Sequence, residues 1–232
     1  MKRSITLAAA LAVVIGCATM PDPVSTVYLS EKTPAESQAI DKLELAVVAK
    51  KNEKESAEKE LRIIEQRVKA ASADLNAVSA RGKALEEESR LVSLTEDAGR
   101  AAEIAKKIEQ NGRVRTHRDK KHEKEKAAKQ HGGALVDLRQ AELAALVAEL
   151  DMEKAKIAHV YQEKRPDQYK KDLKFWERIY AGSRLIDVGP YERYHRDRKN
   201  REEEARKKLA ESEKALREAE NALRMAEALL ER

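Results

Sequence analysis

From Ile40 onward, apolar side chains return at steps of three and four: Ile40, Leu43, Val47, Ala57, Leu61, Ile64, Val68, Ala71, Leu75, Val78, Gly82 and Leu85. That spacing keeps them on one stripe of a helix and defines a heptad seam, with Lys50 and Lys54 as its polar members. Ahead of the seam, Thr33-Pro34-Ala35-Glu36 has the features of a helix start: threonine at the N-cap, proline at the first helical position, glutamate three residues after the cap. After Leu85 a second phase takes over one residue out of register, through Leu91, Leu94, Ala98, Ala101, Ala105 and Ile108. The seam is therefore expected to be overwound or interrupted there while the helix continues. Asn111-Gly112 is the expected end, because glycine closes a helix in the left-handed conformation at little steric cost. A helix over 34–110 would be ~115 Å long.

Beyond that break, residues 113–130 hold almost no large apolar side chain, and Gly132-Gly133 reads as a weak point. Residues 134–161 are then apolar over much of the helix circumference, through Leu135, Leu138, Leu143, Leu146, Val147, Leu150, Met152, Ile157 and Val160. A face that wide asks for more than one neighbouring helix. Arg165-Pro166 breaks the element, since the residue before proline is pushed out of helical geometry. A short helix over 167–181 and an irregular connection at Gly182, Gly189 and Pro190 are expected to follow. The last helix, 191–230, carries a regular seam at Ala205, Leu209, Ser212, Leu216, Ala219, Leu223, Ala226 and Leu230, with Glu202-Arg206 and Glu213-Arg217 among its i,i+4 pairs.

Stripes this narrow cannot hold isolated helices in water, so each helix needs a partner. Residues 34–110 and 113–188 are of similar length and fit an antiparallel hairpin whose tip is at Asn111-Gly112. The third helix either folds against the hairpin or meets a second copy of itself. The fold class is all-α: an elongated antiparallel hairpin or three-helix coiled-coil bundle over 34–232, behind a tether. Composition agrees, with 38% charged residues, 3% aromatics, eight glycines and five prolines, which suits long helices better than a compact globule.

The chain opens Met1-Lys2-Arg3, continues with an uncharged run to Ile15, and places Gly16 directly before Cys17, its one cysteine. This is the layout of an export signal, and the apolar run is about half the ~20 residues a membrane span needs. The ending Val14-Ile15-Gly16-Cys17 resembles the lipobox of bacterial lipoproteins. The resemblance implies cleavage of residues 1–16 and acylation of Cys17, with three chains in the family pattern; more than one chain is what stable attachment requires. It also implies outer-membrane attachment facing the periplasm, because Ala18 stands where an aspartate would signal retention at the inner membrane. Residues 17–33, with Pro21 and Pro23 among serines and threonines, would be a flexible tether.

Net charge is +5, and +3 without Lys2 and Arg3. The excess is local. Residues 113–130 hold eight Lys/Arg against three Asp/Glu, whereas 36–110 hold fourteen against sixteen. At a hairpin tip, Arg113, Arg115, Arg118, Lys120 and Lys121 would face anionic lipid or an acidic envelope polymer, each cation near such a surface adding ~1 kcal/mol; nucleic acid is no partner for an exported chain. The alternative is an ordinary solvated helix face. His117, His122 and His131, with Glu123 and Glu125, have the wrong helical spacing for a metal and sit among cations. No cofactor is expected, and no nucleophile elbow, HExxH or phosphate loop is present.

Rings are concentrated between Tyr161 and Tyr194, at Tyr169, Phe175, Trp176, Tyr180 and Tyr191 besides those two. They either plug an irregular corner as a small core or form a patch for a protein partner. In the second case Trp176, Tyr180 and Phe175 are anchors framed by Lys170, Lys171, Lys174 and Arg178. The function expected is a non-enzymatic, membrane-anchored spacer, scaffold or docking factor in the cell envelope. Its alternative is a binding module that clasps peptidoglycan or client polypeptides between its helices.

Overall fold

The computed structural model describes residues 32–94, 97–164 and 186–231, together with Pro21 and Val24. Cys17, the tether residues up to Glu31 other than Pro21 and Val24, the expected helix 167–181 and the ring-and-lysine patch at 170–180 lie outside the described residues. Within them are three long helices and no strand: α1, Pro34–Ser93; α2, Ala98–Lys164; and α3, Gly189–Leu230. At 1.5 Å per residue they run ~90, ~100 and ~63 Å.

The helix start reads as the sequence says. The Thr33 hydroxyl accepts the Glu36 amide at 3.3 Å, the Glu36 carboxylate accepts the Thr33 amide at 2.7 Å, and Pro34 takes the first turn. Reciprocal bonds of this kind satisfy two amides that have no partner within the helix. They also hold the Glu36 carboxyl below its usual range.

The chain reverses direction at residues 94–97, not at Asn111-Gly112. Leu94 caps α1 through its amide, which donates to the Leu91 and Val92 carbonyls. Asp97 opens α2, with its carboxylate accepting the Arg100 amide at 3.0 Å. The one-residue register shift after Leu85 is thus the mark of a turn rather than of an overwound coil. Leu91 and Leu94 are exposed, as are Ala98, Ala101 and Ala105, while Val92 and Ile104 are buried and close the hairpin. Asn111 has a packing role instead: its side-chain amide donates 3.3 Å to the Val78 carbonyl of α1. It reaches that carbonyl because the facing residue is Gly82, whose added Cβ would lie 2.9 Å from the Asn111 amide nitrogen.

Gly132-Gly133 is likewise inside α2, and Gly132 is buried against α1, with a Cβ there meeting Leu61 and Ile64 at 3.2 and 3.3 Å. Gly112, by contrast, has nothing within 4 Å of a built Cβ. Gly112→Ala should therefore raise stability by about 0.5–1 kcal/mol, the helix-interior difference between the two residues. A urea melt checks it; a loss of stability would mean that residue 112 is at a turn.

α2 is the central element. α1 and α3 both pack antiparallel along it and scarcely touch one another. Pairs such as Glu44–Lys154, Glu65–Lys129 and Asp74–Arg118 set the α1 register, and Glu220–Lys124 and Glu227–His117 set that of α3. This explains the wide apolar face of 134–161, where Leu138, Ala145, Ala148, Leu150, Ala155 and Ala158 are buried. The predicted α1 seam is buried or half-buried at every position from Ile40 to Leu85, and so is the α3 seam from Ala205 to Leu230. The third helix therefore folds within the chain. The start of α1, the end of α2 and the start of α3 share one end of the rod, and the turn at 94–97 is the other.

Candidate functional site

Where α1, α2 and α3 lie side by side, a group of charges takes the place of apolar packing. Helical spacing builds it: Lys50 and Glu53 are one turn apart on α1, Arg139 and Glu142 on α2, and Lys199, Glu202 and Arg206 on α3. Glu142 is buried and is bonded from all three helices. One carboxylate oxygen lies 2.8 Å from Arg139 and 3.2 Å from Lys50, and the other lies 3.3 Å from Arg206. Glu53 adds 2.7 and 3.1 Å contacts to Lys50 and Arg139, and buried Glu202 holds Arg206 at 2.7 Å and Lys199 at 3.2 Å.

Burial by itself would push the Glu142 and Glu202 carboxyls up, but their hydrogen bonds from Arg139 and Lys50, and from Arg206 and Lys199, prevail and hold both below the usual range. The Lys50 ammonium is pushed up, first by its bond to Glu53 and then by Glu142. Such groups stay ionised at neutral pH, so the cluster positions helices rather than trading protons. The sign of the linkage follows. A carboxylate whose folded pKa is depressed contributes stability above its unfolded value of ~4.3 and loses it as pH falls through the folded value. Urea midpoints should be level from neutral pH to about 5 and fall below about 4. Glu142→Gln together with Glu202→Gln should flatten part of that fall.

The five basic residues expected at the tip lie instead about 22–35 Å along α2 from the turn, roughly a quarter to a third of its length. Arg118 is 3.3 Å from Asp74 of α1, Arg113 is 2.8 Å from Glu109, and Lys120 is 2.7 Å from Glu123. Arg115 and Lys121 make no ion pair among the described residues. Further along the same stretch, Lys124 and Lys129 reach Glu220 and Glu65, so the local positive excess is met by carboxylates of both flanking helices. Two of the histidines meet carboxylates across the α2–α3 seam: His117 is 3.7 Å from Glu227 and His195 is 4.0 Å from Glu149. His159 Nδ1 is 2.8 Å from the Ile186 carbonyl, while the Ile186 amide donates 2.6 Å to Gln162. Among the described residues no three His, Cys, Asp or Glu side chains converge as a metal site would need.

Three rings of the aromatic group fall within the described residues. Tyr161, Tyr191 and Tyr194 are all buried, which fits the corner-core reading for those three. The Arg198 guanidinium sits 4.6 Å above the Tyr194 ring and donates 2.8 Å to its hydroxyl. An apolar groove opens nearby between Ala39 and Ile40 of α1 and Ile157 and Val160 of α2, edged by Glu36, Glu153 and Lys156.

Sequence reading singled out Lys50 as a polar seam residue and missed its partner. The available signal was Glu142 itself, a charge inside an otherwise apolar face. Compared with known proteins, the chain matches no family model, no curated protein and no solved structure.

Proposed function

We propose that this chain is a non-enzymatic lipoprotein of the bacterial cell envelope, held by acyl chains on Cys17 and acting as a rigid spacer or scaffold. The observation that supports it best is where the tether enters. Residue 33 starts α1 at one end of the rod, so a membrane attachment at Cys17 leaves ~90 Å of helix to project away from the bilayer. Among the described residues no helix is long and apolar enough to cross a membrane. A helix junction locked by ionised groups suits a load-bearing rod, because charges on all three helices fix one register.

Photo-crosslinking in intact cells tests the scaffold role. A crosslinkable residue at Asp97, in the far turn, or at Trp176 should give one discrete product with a different envelope protein. A broad smear of products would support a client-binding module instead, and crosslinks to cytoplasmic proteins would overturn the proposal.

A further inference from the structure

Four of the exposed large apolar side chains, Leu45, Ile63, Leu91 and Leu94, share the side of α1 that faces away from α2, at 71, 57, 65 and 81% exposure. Between Ile63 and Leu91 the same stripe continues through Ala70, Ala73, Ala77, Ala80 and Ala84, all exposed, at steps of three and four. This is a second heptad seam on the same helix. From 63 to 94 its polar members are Gln66 and Glu87, and Glu87 is paired with Arg90 of its own helix at 3.1 Å. α3 packs on α2 and leaves this face uncovered.

We infer that this outer face of α1 pairs with the same face of a second copy of the chain, as a parallel, in-register coiled coil over residues 63–94. Charge selects the occupant and the direction. In a parallel pair each flanking residue meets the one five places on in the other helix. Lys69 then meets Asp74 of the second copy, and Lys83 meets Glu88. Asp74 and Glu88 already bind Arg118 and Arg100 of α2, at 3.3 and 3.5 Å, but remain 49 and 41% exposed and can accept a second cation. Arg62 against Arg67 is the one unfavourable flanking pair, and in the seam Glu87 meets Glu87 of the second copy, each neutralised by the Arg90 of its own helix. An antiparallel pair centred between Ala77 and Ala80 would set Lys69 against Lys83 and Arg62 against Arg90 along one whole flank, and so gains less. Alanine layers let the two helices approach closely in the middle, while Ile63, Leu91 and Leu94 seal the ends. Copies tethered at the same end would also stand in parallel, although the pairing does not rest on lipidation.

The test uses the full-length Cys17→Ser chain in mild detergent, so that introduced thiols are the sole ones and no acylation is involved. Sedimentation should give a dimer, and Leu91→Cys should form an intermolecular disulfide with itself on mild oxidation. Ala77→Glu with Ala80→Glu should weaken association at least tenfold while leaving the helical circular dichroism unchanged, since both positions are exposed in the single chain. A monomer at on the order of 100 micromolar chain, where a dimer of micromolar Kd would be nearly complete, or a dimer that survives the double substitution, would overturn the inference. So would a dimer in which Leu91→Cys links to Gln66→Cys and not to itself, the antiparallel result.

Discussion

Glu142→Lys should be among the most damaging single substitutions in the described part of the chain, lowering stability by on the order of 4 kcal/mol. It replaces the carboxylate shared by Lys50, Arg139 and Arg206 with a fourth cation in a buried position. Removing one member of a buried ion pair costs about 3–5 kcal/mol, a figure reduced here because Lys50, Arg139 and Arg206 are 26, 30 and 58% exposed and can turn to water. Like-charge repulsion at an effective dielectric near 20 restores the loss. Glu142→Gln, which keeps the shape and some hydrogen bonds, should lose only about 1–2 kcal/mol. Urea melts of the two variants side by side check both the size and the order. Equal effects would mean that the charge of Glu142 is immaterial to the junction.

Gly112→Pro should lower stability by about 3 kcal/mol or more. Residue 112 lies fourteen residues inside α2, counting from Ala98, and its carbonyl region is helical on both sides, with the Thr116 hydroxyl bonded back to the Gly112 carbonyl at 3.1 Å. Proline there removes an amide donor and drives its ring into the preceding turn. The rod would kink where α2 is flanked by α1 and near the end of α3, so circular dichroism should show lost helix as well as a lower melting temperature. If the hairpin tip were at 111–112, the same substitution would be nearly silent. Together with the gain expected for Gly112→Ala, it locates the turn from two opposite signs.

Much of this fold was legible because helical coiled coils are one-dimensional. Steps of three and four from Ile40 to Leu85 specify a helix and its buried face without reference to any other segment, and the seam from Ala205 to Leu230 does the same. The capping box at Thr33 is equally local. What failed was the position of the reversal. Asn-Gly is a strong local signal for a chain break, but here the packing outweighs it: Asn111 is held by the Val78 carbonyl, 33 residues away in sequence, in the gap left by Gly82. The actual turn was encoded in the change of phase after Leu85, which by itself admits either a turn or a local change of supercoil. The five cations from Arg113 to Lys121 were misplaced for the same reason, since moving the turn to 94–97 moves them from the tip to about 22–35 Å along the flank of the rod.

Glu142 shows the corresponding limit for sites. Its charge was visible, but its partners come from helices some 90 residues before it and 60 after it, and one seam does not reveal the register of another. The outer stripe of α1 had been partly visible as well. Leu91 and Leu94 belong to it, yet they read equally as a shifted continuation of the inner seam, because nothing in a single helix says which of two stripes faces a neighbour.

The account turns on Cys17 as the point of attachment, and intact-mass analysis of the chain extracted from cell membranes tests that most directly. The mass predicted is that of a polypeptide beginning at Cys17 and carrying acyl chains, with Cys17→Ala abolishing both the cleavage and the added mass. A membrane-extracted chain that still begins at Met1, or one that begins beyond it with no fatty acid attached, would contradict the account.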